Sequence, residues 1–504
     1  MKYRNPVISG FFPDPSICRT DDKYYLVCSS FQFFPGVPLF ESSDLINWKQ
    51  IGHVLTRDSQ LPLAEANSVG GIYAPTIRHH EGRFYMVTTN VSTGGNFYVW
   101  TDDIHGEWSE PIYVQQDGID PSLYFENGKT YFMSNGTDDN GVHGVIQCEI
   151  DIETGKKLSP AVCIWQGTGG RFLESPHLYK IDDFYYLMAA EGGTEYGHTI
   201  VYARSKNLYG EFENYPFNPV LTNRNLGGYA LQGCGHGDLI QDFSGNWWMV
   251  HLAFRQIHEW MMHHITGREV CLVPVTFHEN GWFSAGLNGT TRLEMSTDRI
   301  PDSVVQMPLP EKRFDNTTVG IDWCWMKNPH PEYYDLHPDC FRIRSSGVSL
   351  DCDDKKNHAP SFLGIRQQEM RLLIECTVTV PEEEAGITLY MTPDQHYEIA
   401  VRKTKSGCEI FKRLHVGDII QESNHVEIKW NTATLRIQAA PLFYMFSAEP
   451  ENQTYQLGTA QTKFLSTEVA GNFTGVMIGL YAQGEKAEQF AEFRGFLCKE
   501  TESA

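Results

Sequence analysis

No stretch of the sequence approaches the roughly 20 consecutive apolar residues that a bilayer-spanning helix requires, so a helical membrane protein is not expected. Basic character is also missing. Forty Lys and Arg stand against 63 Asp and Glu, a formal charge of -23. Nucleic acid and anionic membrane surfaces both need a basic footprint, and neither is an expected partner. The same charge disfavours acidic polysaccharides and leaves neutral small molecules as the compatible ligands. The twelve cysteines include no CxxC pair, so the usual spacing of zinc ligands is absent. Cys28, Cys148 and Cys376 lie in apolar, strand-like runs, where a free thiol packs as a small hydrophobe. The first thirty residues carry Lys2, Arg4, Asp14, Arg19, Asp21, Asp22 and Lys23 without the apolar core of a signal peptide. A reduced, cytoplasmic protein is the simplest expectation.

Helical periodicity is nearly absent as well. In its place is a five-fold repeat, a short polar signature followed by two aromatic-rich strands around a polar turn. The copies read DPSICRTDDKYYLVCSS from Asp14, APTIRHHEGRFYMVTTN from Ala74, DPSLYFENGKTYFMSNG from Asp120, SPHLYKIDDFYYLMAAE from Ser175 and HGDLIQDFSGNWWMVHLA from His236. Their turns, such as Glu81-Gly82-Arg83 and Glu126-Asn127-Gly128-Lys129, have hairpin chemistry. Further short strands, NFYVWTDD and HTIVYARS among them, bring each unit to about four. Four-stranded units repeated radially make a β-propeller. The sequence therefore predicts an all-β protein in which residues 1–300 form a five-bladed β-propeller. Residues 296–315 hold three prolines and many charges, which suits a linker. From 312 to 504 the strand spacing predicts a C-terminal β-sandwich, with no nucleophile or metal motif. A scaffold is its simplest role.

Aligning the repeats places Asp14, Ala74, Asp120, Ser175 and His236 in one column, at the start of the strand that lines a propeller's channel; Glu174 precedes it by one position. An isolated Asp-Pro-Ser is most often a turn. Here the same slot accepts Ala74, so the fold does not require an acid. Three acids converging on one channel are electrostatically costly unless chemistry uses them. Glycoside hydrolysis needs one protonated and one ionised carboxyl group, and Asp and Glu suit these roles because environment can push their pKa values apart. Arg268, on the segment after the fifth hairpin, is the candidate cation; a solvated surface charge is the competing reading. His236 has three: a ring hydrogen-bond donor, a cation ligand on the axis, or a packed histidine.

The segments NPVISGFFPDPSI (5–17), GGIYAPTIRHHEGRFYMVTTN (70–90), GIDPSLYF (118–125), GTGGRFLESPHLYKI (167–181), AEGGTEYGHTIVYARS (190–205), GHGDLIQDFSGNWWMV (235–250) and TGREVCLVPV (266–275) resemble glycoside hydrolase family 43. The likeness is to its two-domain β-xylosidases and α-L-arabinofuranosidases. FLSTEVAGNFTGVMIGLYA (464–482) resembles their accessory sandwich. The resemblance implies an inverting exo-glycosidase on pentose-containing oligosaccharides. Asp14 would be the general base, Glu174 rather than Ser175 the general acid, and Asp120 the third acid, raising the pKa of the general acid. It also implies substrate contacts from Arg268, Phe31, Tyr73, His236 and Phe473, the last reaching over from the sandwich. Many relatives carry Gly where Ser175 stands. No cofactor is required, although calcium sits near the His236 position in some relatives, and relatives often form dimers or tetramers. Tyr73 replaces the usual Trp of this motif, a smaller ring with a hydroxyl that should reshape the pocket wall. Competing readings are a strict β-D-xylosidase, an endo-arabinanase and a non-catalytic sugar-binding propeller.

Overall fold

The computed structural model describes residues 1–258, 260–314, 319–337, 340–352, 359–485 and 487–501. Residue 315 of the expected linker and residues 315–318, 338–339, 353–358, 486 and 502–504 of the expected sandwich lie outside them. Among the described residues, five four-stranded antiparallel sheets follow one another in the chain. They begin at Ser16–Arg19, Thr76–His80, Ile119–Glu126, Glu174–Ile181 and Leu231–Gln241. The polar turns close their first hairpins. Glu81 and Gly82, like Asn127 and Gly128, both have positive φ, the two-residue turn whose twist matches the strands it joins. The inner strands are buried on both faces because each blade packs between two others. Tyr24–Val27 is buried throughout, and Trp248, Tyr202 and Phe283 fill one of the inter-blade cores.

The ring is closed by polar groups on its axis. Asp238 of the fifth blade accepts hydrogen bonds from Ser16 (2.7 Å) of the first, Arg78 (2.8 Å) of the second and Tyr179 (2.5 Å) of the fourth. Burial alone would raise the pKa of Asp238, but the Arg78 guanidinium holds it below the usual carboxylate range. The third blade joins through the Ser122 hydroxyl, which donates to the Pro176 carbonyl of the fourth (2.5 Å).

The C-terminal region is a sandwich of two eight-stranded sheets among the described residues. In the first, Leu372–Thr379 alternates buried and half-buried side chains, as expected when one face meets the core. In the second, Glu384–Thr392 is buried throughout, because its outer face lies on the propeller. There Phe11, Phe31 and Phe33 pack with Tyr390, Phe411, Met477 and Tyr481. The propeller even supplies that sheet's last strand, Phe33–Phe34, which pairs with Cys324–Met326. The twelve cysteines form no disulfide, and no helix among the described residues is long and apolar enough to cross a membrane.

Candidate active site

Four of the five residues in the repeat column adopt the left-handed backbone region: Asp14 (φ 56°), Asp120 (53°), Ser175 (59°) and His236 (49°). In the third, fourth and fifth blades the pairing register shifts at this point, and such a bulge re-aims a side chain. Left-handed non-glycine residues cost about 1–3 kcal/mol each and gather at functional sites. Ser175 bears this cost with a buried hydroxyl that lacks a hydrogen-bond partner. A glycine there relieves both, against the roughly 0.5–1 kcal/mol of extra chain entropy it brings. Ser175→Gly is therefore expected to stabilise the fold by about 1–2 kcal/mol, read as a raised Tm by calorimetry; a lowered Tm would place the strain elsewhere.

Asp14 and Asp120 meet around His236, whose Nδ1 is 3.7 Å from Asp14 Oδ1 and 3.9 Å from Asp120 Oδ2, and Glu174 lines the same cavity. Their environments differ in sign. Asp14 is buried, which pushes its pKa up, but Arg268, His236 and a hydrogen bond from Ser29 (2.6 Å) outweigh burial and leave it below the ordinary value. Burial and then the charge of Asp14 push Glu174 up to about 7, against the pull of Arg268. Asp120 lies well above its ordinary value through burial, Glu174 and Asp14, although it accepts the Ser175 N–H (3.1 Å). Asp14, which keeps its charge, raises the Glu174 pKa. Asp120 and Glu174 also repel each other, so the buried pair disfavours two negative charges at once. Burial leaves His236 neutral too, its pKa below the usual imidazole value despite Asp14.

Arg268 is buried rather than solvated. It donates to Asp14 Oδ1 (2.8 Å), Thr194 Oγ1 (2.9 Å) and the Phe473 carbonyl (3.3 Å). Asp14 and Arg268 meet because the N-terminal segment runs along the fifth blade: the Val7 N–H donates to the Val270 carbonyl (2.8 Å) and the Phe12 N–H to that of Arg268 (3.1 Å).

The acids face a cavity of about 230 Å³ that Phe31, Tyr73 and Phe473 help to wall. The Phe31 ring lies 5.2 Å from Tyr73 and stacks 6.3 Å from Phe473. The Tyr73 hydroxyl donates to the Val69 carbonyl (2.8 Å), so the difference from tryptophan that reaches the cavity is ring shape. Phe473 arrives from the sandwich through a backbone contact that only glycines permit. A Cβ on Gly475 would lie 2.5 Å from the Thr266 carbonyl oxygen, and one on Gly267 would lie 2.9 Å from the Gly475 nitrogen. A wider recess of about 900 Å³, lined by Lys2, Trp48 and Pro308 among others, contains none of the three acids and is a seam between the domains.

All eight residues singled out from the sequence line this one cavity. Phe172, Thr194, Glu195 and His198 also line it and were not singled out. They lie in loops outside the repeat, within the segments GTGGRFLESPH and AEGGTEYGHT, which offered the only signal. Burial, His236 and Arg268 push His198 down to about 3.

Residues 3–283 match glycosyl hydrolases family 43, and residues 311–499 match the beta xylosidase C-terminal concanavalin A-like domain. The non-reducing end alpha-L-arabinofuranosidase of Bacteroides ovatus is 38% identical over 96% of this chain and 91% of its own. The xylosidase/arabinosidase of Butyrivibrio fibrisolvens is 37% identical over 98% of this chain and 99% of its own. The solved structure of Bacteroides ovatus xyloglucan PUL GH43B superposes with a TM-score of 0.92 at 36% identity, covering 99% of this chain and 100% of that one. With both domains matched in order and the acids of the repeat gathered in one cavity, the chain belongs to glycoside hydrolase family 43.

Proposed function

We propose that the protein is an inverting exo-glycosidase that releases terminal non-reducing α-L-arabinofuranosyl and β-D-xylosyl residues from oligosaccharides. The observation that carries this reading is the pocket itself. It is a small cavity narrowed by Phe473, in which Asp14 is held ionised and Glu174 is raised to about 7. In one step, Asp14 takes a proton from a water whose oxygen attacks the anomeric carbon. The bond to the departing oxygen breaks, and Glu174 gives that oxygen its proton. Arg268 fixes the Asp14 carboxylate, and Asp120 holds the Ser175 backbone beside Glu174. A narrowed pocket suits a chain end, whereas an endo-acting arabinanase needs an open groove.

The reading routes no step through calcium, which takes six to eight oxygen ligands. The oxygens nearest His236 are already engaged, Asp14 by Arg268 and Ser29 and Asp120 by Ser175.

Nitrophenyl α-L-arabinofuranoside and β-D-xyloside, assayed side by side, test the substrate class. Proton NMR of the first-formed sugar should show the inverted anomer; retention would discard the mechanism. Arabinofuranoside is expected to be cleaved at least as well as xyloside, because Tyr73 leaves space where tryptophan would stand. Tyr73→Trp should then move the ratio of the two kcat/KM values toward xyloside by about ten- to a hundred-fold, the scale of a shape change worth roughly 1–3 kcal/mol. An unchanged ratio would mean that selectivity is set elsewhere.

A further inference from the structure

The sandwich carries a second chemical cluster, far from the acids in sequence. Strands Gln395–Lys403 and Cys408–Val416 pair with His396 opposite His415, and Asp351 approaches from the preceding turn. His396 Nε2 and His415 Nδ1 are 3.1 Å apart, and Asp351 Oδ1 is 3.0 Å from the first and 2.9 Å from the second. Three atoms thus form a near-equilateral triangle. Hydrogen bonds on the far sides of the rings say which of these atoms carry lone pairs. His396 Nδ1 faces the buried Glu398 carboxylate, and His415 Nε2 lies 2.9 Å from the Gly417 carbonyl oxygen. Both partners only accept, so both of those nitrogens carry the proton. In neutral rings the inward nitrogens then present lone pairs. Two lone pairs and a carboxylate oxygen meet at one point, and the Pro393 carbonyl oxygen adds a fourth electron-rich atom 2.9 Å from His396 Nε2. Such a meeting needs a positive centre: either a proton on His396, whose pKa, against burial, Glu398 and Asp351 raise to about 9, or a metal ion in its place.

We propose that Asp351, His396 and His415 form a binding site for a first-row divalent metal ion, zinc foremost. Ligands held about 2.0–2.2 Å from zinc in a tetrahedron stand about 3.3–3.6 Å from one another, so the 2.9–3.1 Å triangle needs to open by a few tenths of an ångström to hold the ion. Two imidazoles and one carboxylate are donors that zinc accepts. Glu398 and the Gly417 carbonyl orient the two rings, as outer partners of metal-bound histidines do. Asp351, with 44% of its side chain exposed, leaves an entry path. The His396 ring stacks 5.8 Å from Tyr390, which packs in one apolar cluster with Phe31 and with Leu350, the neighbour of Asp351. The ion would fasten this turn to the sheet behind the pocket wall. Sequence spacing hides the site, because its three residues are brought together by strand pairing and a long connection rather than by a local motif.

The test uses the full chain, stripped with a chelator, dialysed and titrated with Zn²⁺ by calorimetry and with Co²⁺ by visible absorption. Uptake of one zinc per chain, a raised Tm and the d–d bands of nitrogen- and oxygen-ligated cobalt are expected. Asp351→Asn and His415→Gln should each weaken zinc at least about tenfold and remove the Tm rise, with unchanged circular dichroism. If either variant fails to fold, the cobalt spectrum of the unaltered protein decides. Absence of saturable uptake, or uptake that both variants leave intact, overturns the proposal. So does nitrogen-15 NMR showing His396 protonated on both nitrogens at saturating zinc, which would make the cluster an ion-pair network.

Discussion

Asp14→Asn is expected to lower kcat/KM by about 10²–10⁴-fold, the range a positioned general base supplies, and by the same factor whatever the leaving group. Asparagine is the informative replacement because it tolerates the left-handed backbone that position 14 adopts. Its carbonyl oxygen can still accept from Arg268, and its NH₂ can donate to the Ser29 hydroxyl where Oδ2 accepted before. What it lacks is the ability to take a proton from water. Removing the charge also leaves Arg268 buried without its anion, and breaking a buried pair costs roughly 3–5 kcal/mol of stability. A melting curve must therefore accompany the kinetics, so that activity is compared among folded molecules. A second consequence distinguishes a base from a mere positioning group. The Asp14 charge helps to keep Glu174 protonated, so the variant's residual activity should lose its basic limb at a lower pH. A folded variant with activity within tenfold of the parent would remove Asp14 from the mechanism.

Glu174→Gln is expected to act on leaving groups unequally. Glycosides with a poor leaving group, such as a sugar or an alkyl alcohol, should slow by about 10²–10⁴-fold, whereas a dinitrophenyl glycoside, which departs with little protonation, should keep most of its rate. The pH profile supplies the second readout. The acid works only while protonated, and its pKa lies at about 7, so kcat/KM of the parent should fall as pH rises through about 7. On the acid side, Asp14 must stay ionised; its lowered pKa places that limb below the ordinary carboxylate range. In Glu174→Gln the basic limb near 7 should vanish. Equal slowing of aryl and sugar glycosides would reassign the acid.

The sequence makes the propeller visible because hairpin chemistry repeats. Polar two-residue turns, paired aromatic strands and one column of small or acidic residues recur five times, and each blade must solve the same packing problem. The same column exposes the acids, since Ala74 shows that the slot does not demand a carboxylate. Backbone conformation stays hidden. Nothing in DPSI, ESPH or HGDL reports positive φ, although glycine at the Ser175 position in relatives hinted at it. The loops bearing Phe172, Thr194 and Glu195 lie outside the repeat and carry no periodic signal. Charge state is likewise a property of the assembled site. Asp120 and Asp14 sit in near-identical motifs, yet Arg268, more than 250 residues from Asp14, holds one ionised while burial pushes the other toward neutrality.

The strand Phe33–Phe34 has a consequence for how such chains can be recombined. It belongs by position to the first blade but by hydrogen bonding to the outer edge of the sandwich sheet. A cut in the linker near residue 310 would therefore pass between the domains along the chain while tearing a sheet in space. The freed sandwich would bare an unpaired edge, the kind of surface that templates aggregation, and the freed propeller would bare Phe11, Phe31 and Phe33 together. Exchanging the C-terminal half between relatives thus requires carrying the loop around residue 33 with it. The heritable module is the whole chain, and its two matched regions are not interchangeable cassettes.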